Sequence, residues 1–214
     1  MIVDSKAWNW DKVKEQIWNE PSEDVYYYLH RWQQIGFKKF LDLGCGKGRH
    51  SHLFADSGFE VFSFDLSEKA INLVKNKAER KGQKIHVNIG DIKNLPYKSE
   101  TFGCILSYHT IYHTDTKGIN IVLDEIYRVL KPDGEIFITL NSKDNPSFNN
   151  PDYKKIDNNT IIKTEGPEVD MPHYYANIEE VRRLLEKFKI IRIRHIEEFF
   201  NDRTSWHYHV HAQK

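Results

Sequence analysis

A glycine-rich loop follows a short apolar segment near residue 40 and carries the clearest chemical signal in the chain. The loop extends from Asp42 to Arg49 with the sequence DLGCGKGR, and a helical pattern begins directly after it. Glycine permits a tight turn and lets a ligand touch the backbone beside a helix N-terminus. The loop therefore predicts a ligand site at the carboxyl end of a strand.

The residues around the loop favour one class of ligand. A dinucleotide site requires the spacing G-x-G-x-x-G, but Arg49 occupies the sixth position. Such a site would also bring a pyrophosphate close to Asp42, which is unfavourable by Coulomb's law, whereas an ammonium and a sulfonium group would be attracted. Asp65 ends the next predicted strand and is spaced to accept the ribose hydroxyls. We therefore expect a ligand with a ribose, without a phosphate and with a positive charge.

The elements that must position the loop alternate between strand and helix patterns. Strands are predicted over 37–43, 60–64, 85–89, 101–108 and 135–140, and helices over 49–57, 67–80 and 119–130. A further helix over 178–188 and strands over 189–197 and 206–212 complete the chain. Strands that alternate with helices of this length indicate an α/β fold with a mainly parallel sheet covered on both faces.

Two segments depart from this alternation. Residues 1–36 are rich in aromatic side chains at helical spacing, with a break at Pro21, and predict an N-terminal helical lid ahead of a ligand-binding domain over 37–214. The aromatic rings would either pack on the sheet or cover the site, and Tyr28 is assigned to the acceptor pocket on the second alternative. Residues 141–176 have little periodicity and predict a long excursion that could act as a substrate lid.

Four motifs in order resemble a known family. FLDLGCGKGRH, VFSFDLS, GDIKNLPYKSETFGCILSYH and EIYRVLKPDGEIFITL together resemble the class I S-adenosylmethionine-dependent methyltransferases, of the small-molecule type with a methyltransferase type 11-like domain. The resemblance covers residues 37–142 and implies a Rossmann-like, doubly wound, seven-stranded sheet with a reversed last strand. One departure is Gly103, where relatives usually carry Phe-Asp. The chain also lacks the Asn/Asp-Pro-Pro-aromatic motif of nucleic-acid amino-methyltransferases.

The resemblance implies S-adenosylmethionine as the cofactor and assigns residues to each part of it. These are Asp42, Gly44, Cys45 and Gly46 at the methionine end, Asp65 at the ribose, Leu66, Asp91 and Ile92 around the adenine, and Ser107 near the transferred methyl group. Cys45 is expected there as a small residue between glycines rather than as a nucleophile.

Candidate catalytic residues follow the strand over 101–108. His109 and His113 flank Tyr112, and an imidazole titrates near working pH, so either histidine could remove a proton from an acceptor. Ordinary loop packing is the alternative. His173 and Tyr174, which close the excursion, are assigned to the acceptor pocket, with lid packing as their alternative.

Three histidines alternate along the last predicted strand. Because His207, His209 and His211 share one face, they could bind zinc, but no acidic or cysteine partner is adjacent in sequence. An exposed or hydrogen-bonded face is therefore expected, and no metal site is predicted.

The amino-acid composition excludes some classes of partner. Among 214 residues, 31 are Lys or Arg and 31 are Asp or Glu, and this net charge of +0 argues against nucleic acid as the partner. The chain shows neither an apolar run that could span a bilayer nor the pattern of a signal peptide, and its 2 cysteines do not indicate a disulfide scaffold. We expect a soluble, cytoplasmic protein whose partner is a small-molecule methyl acceptor; the sequence does not indicate its oligomeric state.

The predicted activity is methyl transfer from S-adenosylmethionine to N, O or S of that acceptor by in-line displacement. A catalytically silent protein that binds the cofactor and serves a regulatory role stays open. An NAD-dependent oxidoreductase is the less favoured alternative, because of Asp42 and Arg49.

Overall fold

A parallel sheet forms the centre of the computed structural model, which describes residues 3–10, 16–165, 168–200 and 203–214. Its parallel strands are β1 (Lys39–Leu43), β2 (Glu60–Asp65), β3 (Ile85–Ile89), β4 (Phe102–Ser107) and β5 (Leu130–Ser142), in the order β3-β2-β1-β4-β5. The connecting helices are α1 (Glu23–Ile35), which precedes β1, then α2 (Arg49–Asp56), α3 (Glu68–Lys81) and α4 (Thr116–Val129). This order brings the ends of β1 and β4 together at the middle of the sheet.

The excursion over 141–176 contains regular structure that its sequence does not indicate. It forms three short strands, β6 (Lys154–Lys155), β7 (Thr160–Ile162) and β8 (Pro172–Ala176). Asn141 of β5 pairs with Tyr175 of β8 and also with His207 on its other side. Because β4 ends before this point, β8 extends the sheet beyond the end of β4, beside the site.

The chain ends with α5 (Ile178–Leu184), β9 (Lys189–Phe200) and β10 (Arg203–Gln213). β10 runs antiparallel to both β5 and β9. Together with β1–β5, these two strands make the predicted seven-stranded sheet with a reversed last strand, and this prediction is confirmed. The strands β6, β7 and β8 are additional.

Helix boundaries follow from their caps. The hydroxyl of Ser67 accepts a hydrogen bond from the backbone N–H of Ala70 at the start of α3, and Gly82 closes that helix with φ 64°. α4 begins before its predicted start at residue 119, because the Asp115 carboxylate accepts from the backbone N–H of Gly118 at 2.7 Å.

The helix α1 belongs to the core rather than to a lid. Its buried side chains, Val25, Tyr28, Leu29 and Trp32, pack with Phe40, Phe54 and Phe137 of the sheet and α2. Tyr28 stacks on Phe137 with 4.0 Å between ring centroids, so the structure places it in the core and corrects its assignment to the acceptor pocket. The predicted helical pattern around Trp10 falls partly on residues 11–15, which lie outside the described part of the chain.

The three histidines of β10 are buried, so the exposed alternative is wrong, and two of them are hydrogen-bonded. His209 Nδ1 lies 2.7 Å from Asp24 Oδ2, and His211 Nε2 lies 2.9 Å from Glu135 Oε2. Among the described residues, no helix has the length and apolar character needed to cross a membrane.

Candidate active site

The glycine loop between β1 and α2 is held in a conformation that requires glycine. Gly44, Gly46 and Gly48 have φ angles of 74°, 52° and 78°. The backbone N–H of Gly44 donates to the Phe64 carbonyl at 2.7 Å, and a Cβ on Gly44 would lie 2.0 Å from Thr110 Cγ2. The loop is therefore packed directly against the segment that follows β4.

Carboxylates lie at or just beyond the ends of the first three strands. Burial raises the pKa of Asp42 to about 7, although the Ser51 hydroxyl donates to it at 2.6 Å. Asp65 accepts from the backbone N–H groups of Gly46 and Ser67, each at 2.8 Å, and burial raises its pKa too. Asp91, just after β3, accepts from the backbone N–H of Lys93 at 2.9 Å. Neighbouring parallel strands bring these three carboxylates to one edge of the sheet.

Two other predicted cofactor residues, Cys45 and Ser107, are buried among protein atoms. Cys45 is buried against Ile71 and Val74 of α3, and burial raises the pKa of its thiol, which leaves it a poor nucleophile. Ser107 is fully buried and donates to the Leu43 carbonyl at 2.7 Å, so its hydroxyl joins β4 to β1.

Leu66 and Ile92 are half-buried beside Asp65 and Asp91, in the positions predicted to flank an adenine. Ile92 also packs against the main hydrophobic core.

The two basic side chains of the glycine loop engage the N-terminal segment. Lys47 Nζ lies over the Trp10 ring at 5.5 Å. The Arg49 guanidinium donates to the carbonyls of Ile17 and Glu20 and lies over the Trp18 ring at 5.1 Å. Both basic side chains are thus directed toward the N-terminal segment.

An aromatic segment covers this edge of the sheet. We call residues 3–10 and 16–20 the N-terminal strap. The Trp10 ring covers Gly46 so closely that a Cβ there would lie 2.4 Å from Trp10 Cζ2. Trp8 lies 5.5 Å from the His113 ring and Trp18 lies 6.2 Å from the His109 ring. The strap thus spans both the glycine loop and the predicted catalytic histidines.

The segment after β4 holds an imidazole and a phenol together. His109 has φ 54°, and its backbone N–H donates to Thr139 Oγ1 at 2.7 Å. His109 Nδ1 lies 3.2 Å from the Tyr112 hydroxyl. Burial, with the neighbouring His207, holds the pKa of His109 well below its usual range, and burial raises that of Tyr112 well above. The pair is therefore a neutral imidazole and a protonated phenol at neutral pH.

His113 and His173 meet around a carboxylate. Their Nε2 atoms lie 3.5 Å and 3.2 Å from Glu168 Oε1. The backbone N–H of Tyr174 donates to the Tyr112 carbonyl at 2.8 Å. The side chain of Tyr174 is buried in the main core, which favours the packing alternative for this residue over the acceptor pocket. The structure thus brings His109, Tyr112, His113 and His173 into one cluster.

Sequence analysis missed the acidic members of this cluster. Besides Glu168, Glu198 of β9 contributes an oxygen 3.5 Å from His207 Nδ1 and 3.8 Å from His109 Nε2. Glu168 follows no motif in an irregular segment, and Glu198 lies beyond the predicted end of its strand. The alternation of histidines in β10 is the one sequence pattern that points to the surroundings of Glu198.

Comparison with known proteins agrees with this geometry. A family model described as a methyltransferase domain matches residues 40–134. The match supports the resemblance to the class I S-adenosylmethionine-dependent methyltransferases. The match includes the glycine loop, all three carboxylates and the segment after β4.

Curated relatives and a solved structure extend the comparison. Norajmaline N-methyltransferase of Rauvolfia serpentina is 32% identical over 56% of this chain and 42% of its own length. Malonyl-[acyl-carrier protein] O-methyltransferase of Salmonella typhimurium is 28% identical over 64% of this chain and 52% of its own length. The match thus spans about half the length of these relatives. A methyltransferase crystal structure from Methanosarcina mazei superposes with a TM-score of 0.75 and 19% identity, covering 91% of this chain and 98% of that one, and shares the fold.

The residues of this methyltransferase fold fit the family cofactor, S-adenosylmethionine. Carboxylates at three adjacent strand ends suit an ammonium group, a ribose and an adenine amino group. The glycines of the loop permit close approach of a ligand to the backbone once the Trp10 ring moves off Gly46. The assignment of each residue to one part of the cofactor stays a prediction.

Proposed function

We propose that the chain transfers the methyl group of S-adenosylmethionine to a nitrogen, oxygen or sulfur atom of a small-molecule acceptor. The cofactor would lie along the glycine loop, Asp65 and Asp91, and the acceptor would lie beside His109 and Tyr112. When bound, the cofactor supplies an electrophilic methyl group. The relatives support nitrogen and oxygen as acceptor atoms, because one is named as an N-methyltransferase and one as an O-methyltransferase.

The neutral His109–Tyr112 pair is the observation that carries this proposal. It follows β4 directly, and Thr110 between the two residues donates to the Gly44 carbonyl at 3.2 Å. A neutral imidazole can take a proton from an acceptor hydroxyl, amine or thiol as the nucleophile attacks. The phenol orients the imidazole through Nδ1, and His109 thereby has a fixed position relative to the glycine loop.

The strap and the excursion would complete the site. Trp8 and Trp18 cover the histidines, and β8 closes the side beyond β4. A covered site excludes water and holds the acceptor in line, at about 3–3.5 Å from the methyl carbon. In this role the strap acts as the N-terminal lid, while α1 stays in the core.

Methyl transfer from labelled S-adenosylmethionine to fractionated metabolites tests the proposal. The full chain should label at least one small-molecule fraction. His109→Asn, in which the new residue tolerates the left-handed backbone, should lower the rate about 10²–10⁴-fold while cofactor affinity is retained. Asp65→Asn should weaken cofactor binding at least tenfold, because a charged hydrogen bond contributes about 1.5–3 kcal/mol. The exposed His86→Gln serves as a matched control and should change neither quantity.

The alternatives predict different results. A silent cofactor-binding protein would bind S-adenosylmethionine with the same dependence on Asp65 but label no fraction. Equal turnover of His109→Asn and the wild type would remove His109 as the base. Wild-type cofactor affinity in a folded Asp65→Asn variant would remove the ribose assignment.

A further inference from the structure

A group of ligand-type side chains beside the proposed acceptor pocket is not needed for proton transfer. His113 comes from the segment after β4, whereas Glu168 and His173 come from the excursion. The two Nε2 atoms and Glu168 Oε1 all lie within 4.8 Å of one another. The side chains of His173, His113 and Glu168 are 1%, 12% and 18% exposed, so this meeting point is largely covered.

These atoms approach one another without forming hydrogen bonds. Both Nε2 atoms are buried and have no hydrogen-bond partner, although Glu168 Oε1 is close to each. His173 Nδ1 lies 2.9 Å from the Met171 carbonyl, which can only accept, so Nδ1 carries the proton. In the neutral ring Nε2 therefore presents a lone pair, not an N–H group, to the carboxylate.

Lys163 pairs with Oε2 of Glu168 and leaves Oε1 facing the two histidines. One carboxylate oxygen and two buried imidazole nitrogens without hydrogen-bond partners therefore converge at one place.

The distances match those of ligands around one ion. Donor atoms at about 2.0–2.2 Å from a metal are separated by about 3.0 Å at an octahedral right angle and by about 3.4 Å at the tetrahedral angle. The observed separation of 3.2 Å lies between these two values, and that of 3.5 Å is close to the tetrahedral one. The bond from His173 Nδ1 to a backbone carbonyl is also the arrangement that fixes metal-ligating histidines.

We propose that His113, Glu168 and His173 bind one divalent transition-metal ion, with at least one coordination position left for water or an acceptor atom. Two imidazoles and one carboxylate suit zinc and its first-row neighbours. This proposal reverses the metal-free expectation from the sequence. The ion would also fasten the excursion to the segment after β4.

The neighbouring group of His109, Glu198 and His207 is the weaker candidate. Its separations from Glu198 Oε2 are 3.8 Å and 3.5 Å, and the Glu198 side chain is 42% exposed. Tyr112 also engages His109 Nδ1. This second group gives the test a matched comparison.

Calorimetric titration of the chelator-treated full chain with Zn²⁺ tests the site, and Co²⁺ absorption reports its coordination. We expect one ion per chain. Glu168→Gln keeps the shape of the side chain, and His173→Asn keeps a donor for the Met171 carbonyl. Each should lower affinity by more than the about 10–100-fold that loss of an outer-shell partner causes. His207→Gln and the exposed His30→Gln should retain wild-type affinity.

The outcomes separate the proposal from its alternatives. Absence of stoichiometric binding by the wild type would overturn it, and so would affinity that falls in His207→Gln but not in Glu168→Gln. If His173→Asn fails to fold by circular dichroism, Glu168→Gln decides alone. The titration requires neither S-adenosylmethionine nor turnover, so failure of the metal site and failure of the proposed methyl transfer are independent results.

Discussion

Asp42 couples the glycine loop to pH. Its carboxyl has a pKa raised to about 7 by burial, with Asp65 acting in the same direction, while the Ser51 hydroxyl and the charge of Arg49 lower it. In the unfolded chain an aspartate titrates near 3.9. The folded chain therefore binds this proton more tightly. The contribution of Asp42 to the free energy of unfolding is most favourable below pH about 4 and declines as pH rises to about 7.

Cofactor affinity should show the opposite dependence. A positively charged ligand beside Asp42 favours the carboxylate, so binding releases a proton below pH about 7. We expect the affinity for S-adenosylmethionine to fall by up to tenfold per unit as pH decreases from about 7 to 5.5. Calorimetry in buffers of different ionisation enthalpy measures both the affinity and the released proton.

Asp42→Asn is the matched variant for this prediction. It retains an acceptor for Ser51 and should bind the cofactor more weakly, with a flatter pH profile. A wild-type affinity that does not change over the same pH range would show that Asp42 is not linked to the cofactor.

At the residue scale, the sequence revealed the loop and its acids better than it revealed the acceptor side. The spacing of Asp42, Gly44 and Asp65 is local to strand ends, so the pattern predicts where they meet. Glu168 and Glu198 reach the histidines only through the folded excursion and the β9–β10 pair. No local pattern encodes those contacts.

The glycine loop packs directly against the segment after β4. A side chain at Gly44 must both adopt a left-handed backbone and displace Thr110. Gly58 has φ 87° but open space around its Cβ position, so Gly58→Ala measures the backbone cost alone. We expect Gly44→Ala to lower the free energy of unfolding by about 1–3 kcal/mol more than Gly58→Ala.

Chemical denaturation of both variants, with and without Thr110→Ala, checks this prediction. Thr110→Ala removes the two atoms at 2.0 Å and 2.5 Å from the added Cβ and should recover part of the difference. Equal losses in the two glycine variants would contradict the predicted packing of Thr110 on the loop.

The position of Trp10 in the strap predicts a change in tryptophan fluorescence when the cofactor binds. Because Trp10 covers Gly46, where the cofactor is expected to approach the backbone, binding should displace its ring and change tryptophan fluorescence. Trp10→Phe should lose most of that change. Trp206→Phe is the control, since Trp206 packs on His195 away from the loop. A full signal in Trp10→Phe would mean that the fluorescence change does not come from displacement of the Trp10 ring.

Among the elements, the alternating part of the fold could be predicted, and the rest depended on tertiary contacts. β1, β4 and β5 bury apolar runs and α1, α3 and α4 bury apolar stripes, whereas the edge strand β3 alternates between half-buried and exposed residues over most of its length. β6, β7 and β8 are two to five residues long, and they exist because β5 extends past the end of β4 and offers an edge. The N-terminal aromatic residues share one periodicity but differ in position. Tyr28 and Trp32 of α1 pack in the core, whereas those of the strap cover the site.

At the scale of the whole molecule, the thermal unfolding midpoint should identify the cofactor. A ligand at about 100 times its Kd adds about 2.7 kcal/mol to the free energy of unfolding, which for a chain of this length raises the thermal midpoint by roughly 5–10 °C. We expect that shift with S-adenosylmethionine and with its demethylated product, and none with NAD. A shift with NAD alone would favour the oxidoreductase alternative.

The contacts between α1 and the end of the chain also constrain the order in which the protein folds. Asp24 binds His209, and the indole of Trp32 and the guanidinium of Arg31 share Glu135 with His211. During synthesis α1 can pack on β1 and α2 early, but its contacts with β5 and β10 must wait until these strands have emerged. Contacts this distant along the chain slow folding and leave apolar surface exposed in the interval. A helix that is made before most of the sheet is thus among the last elements to be fully secured, and a nascent chain needs protection from aggregation until then.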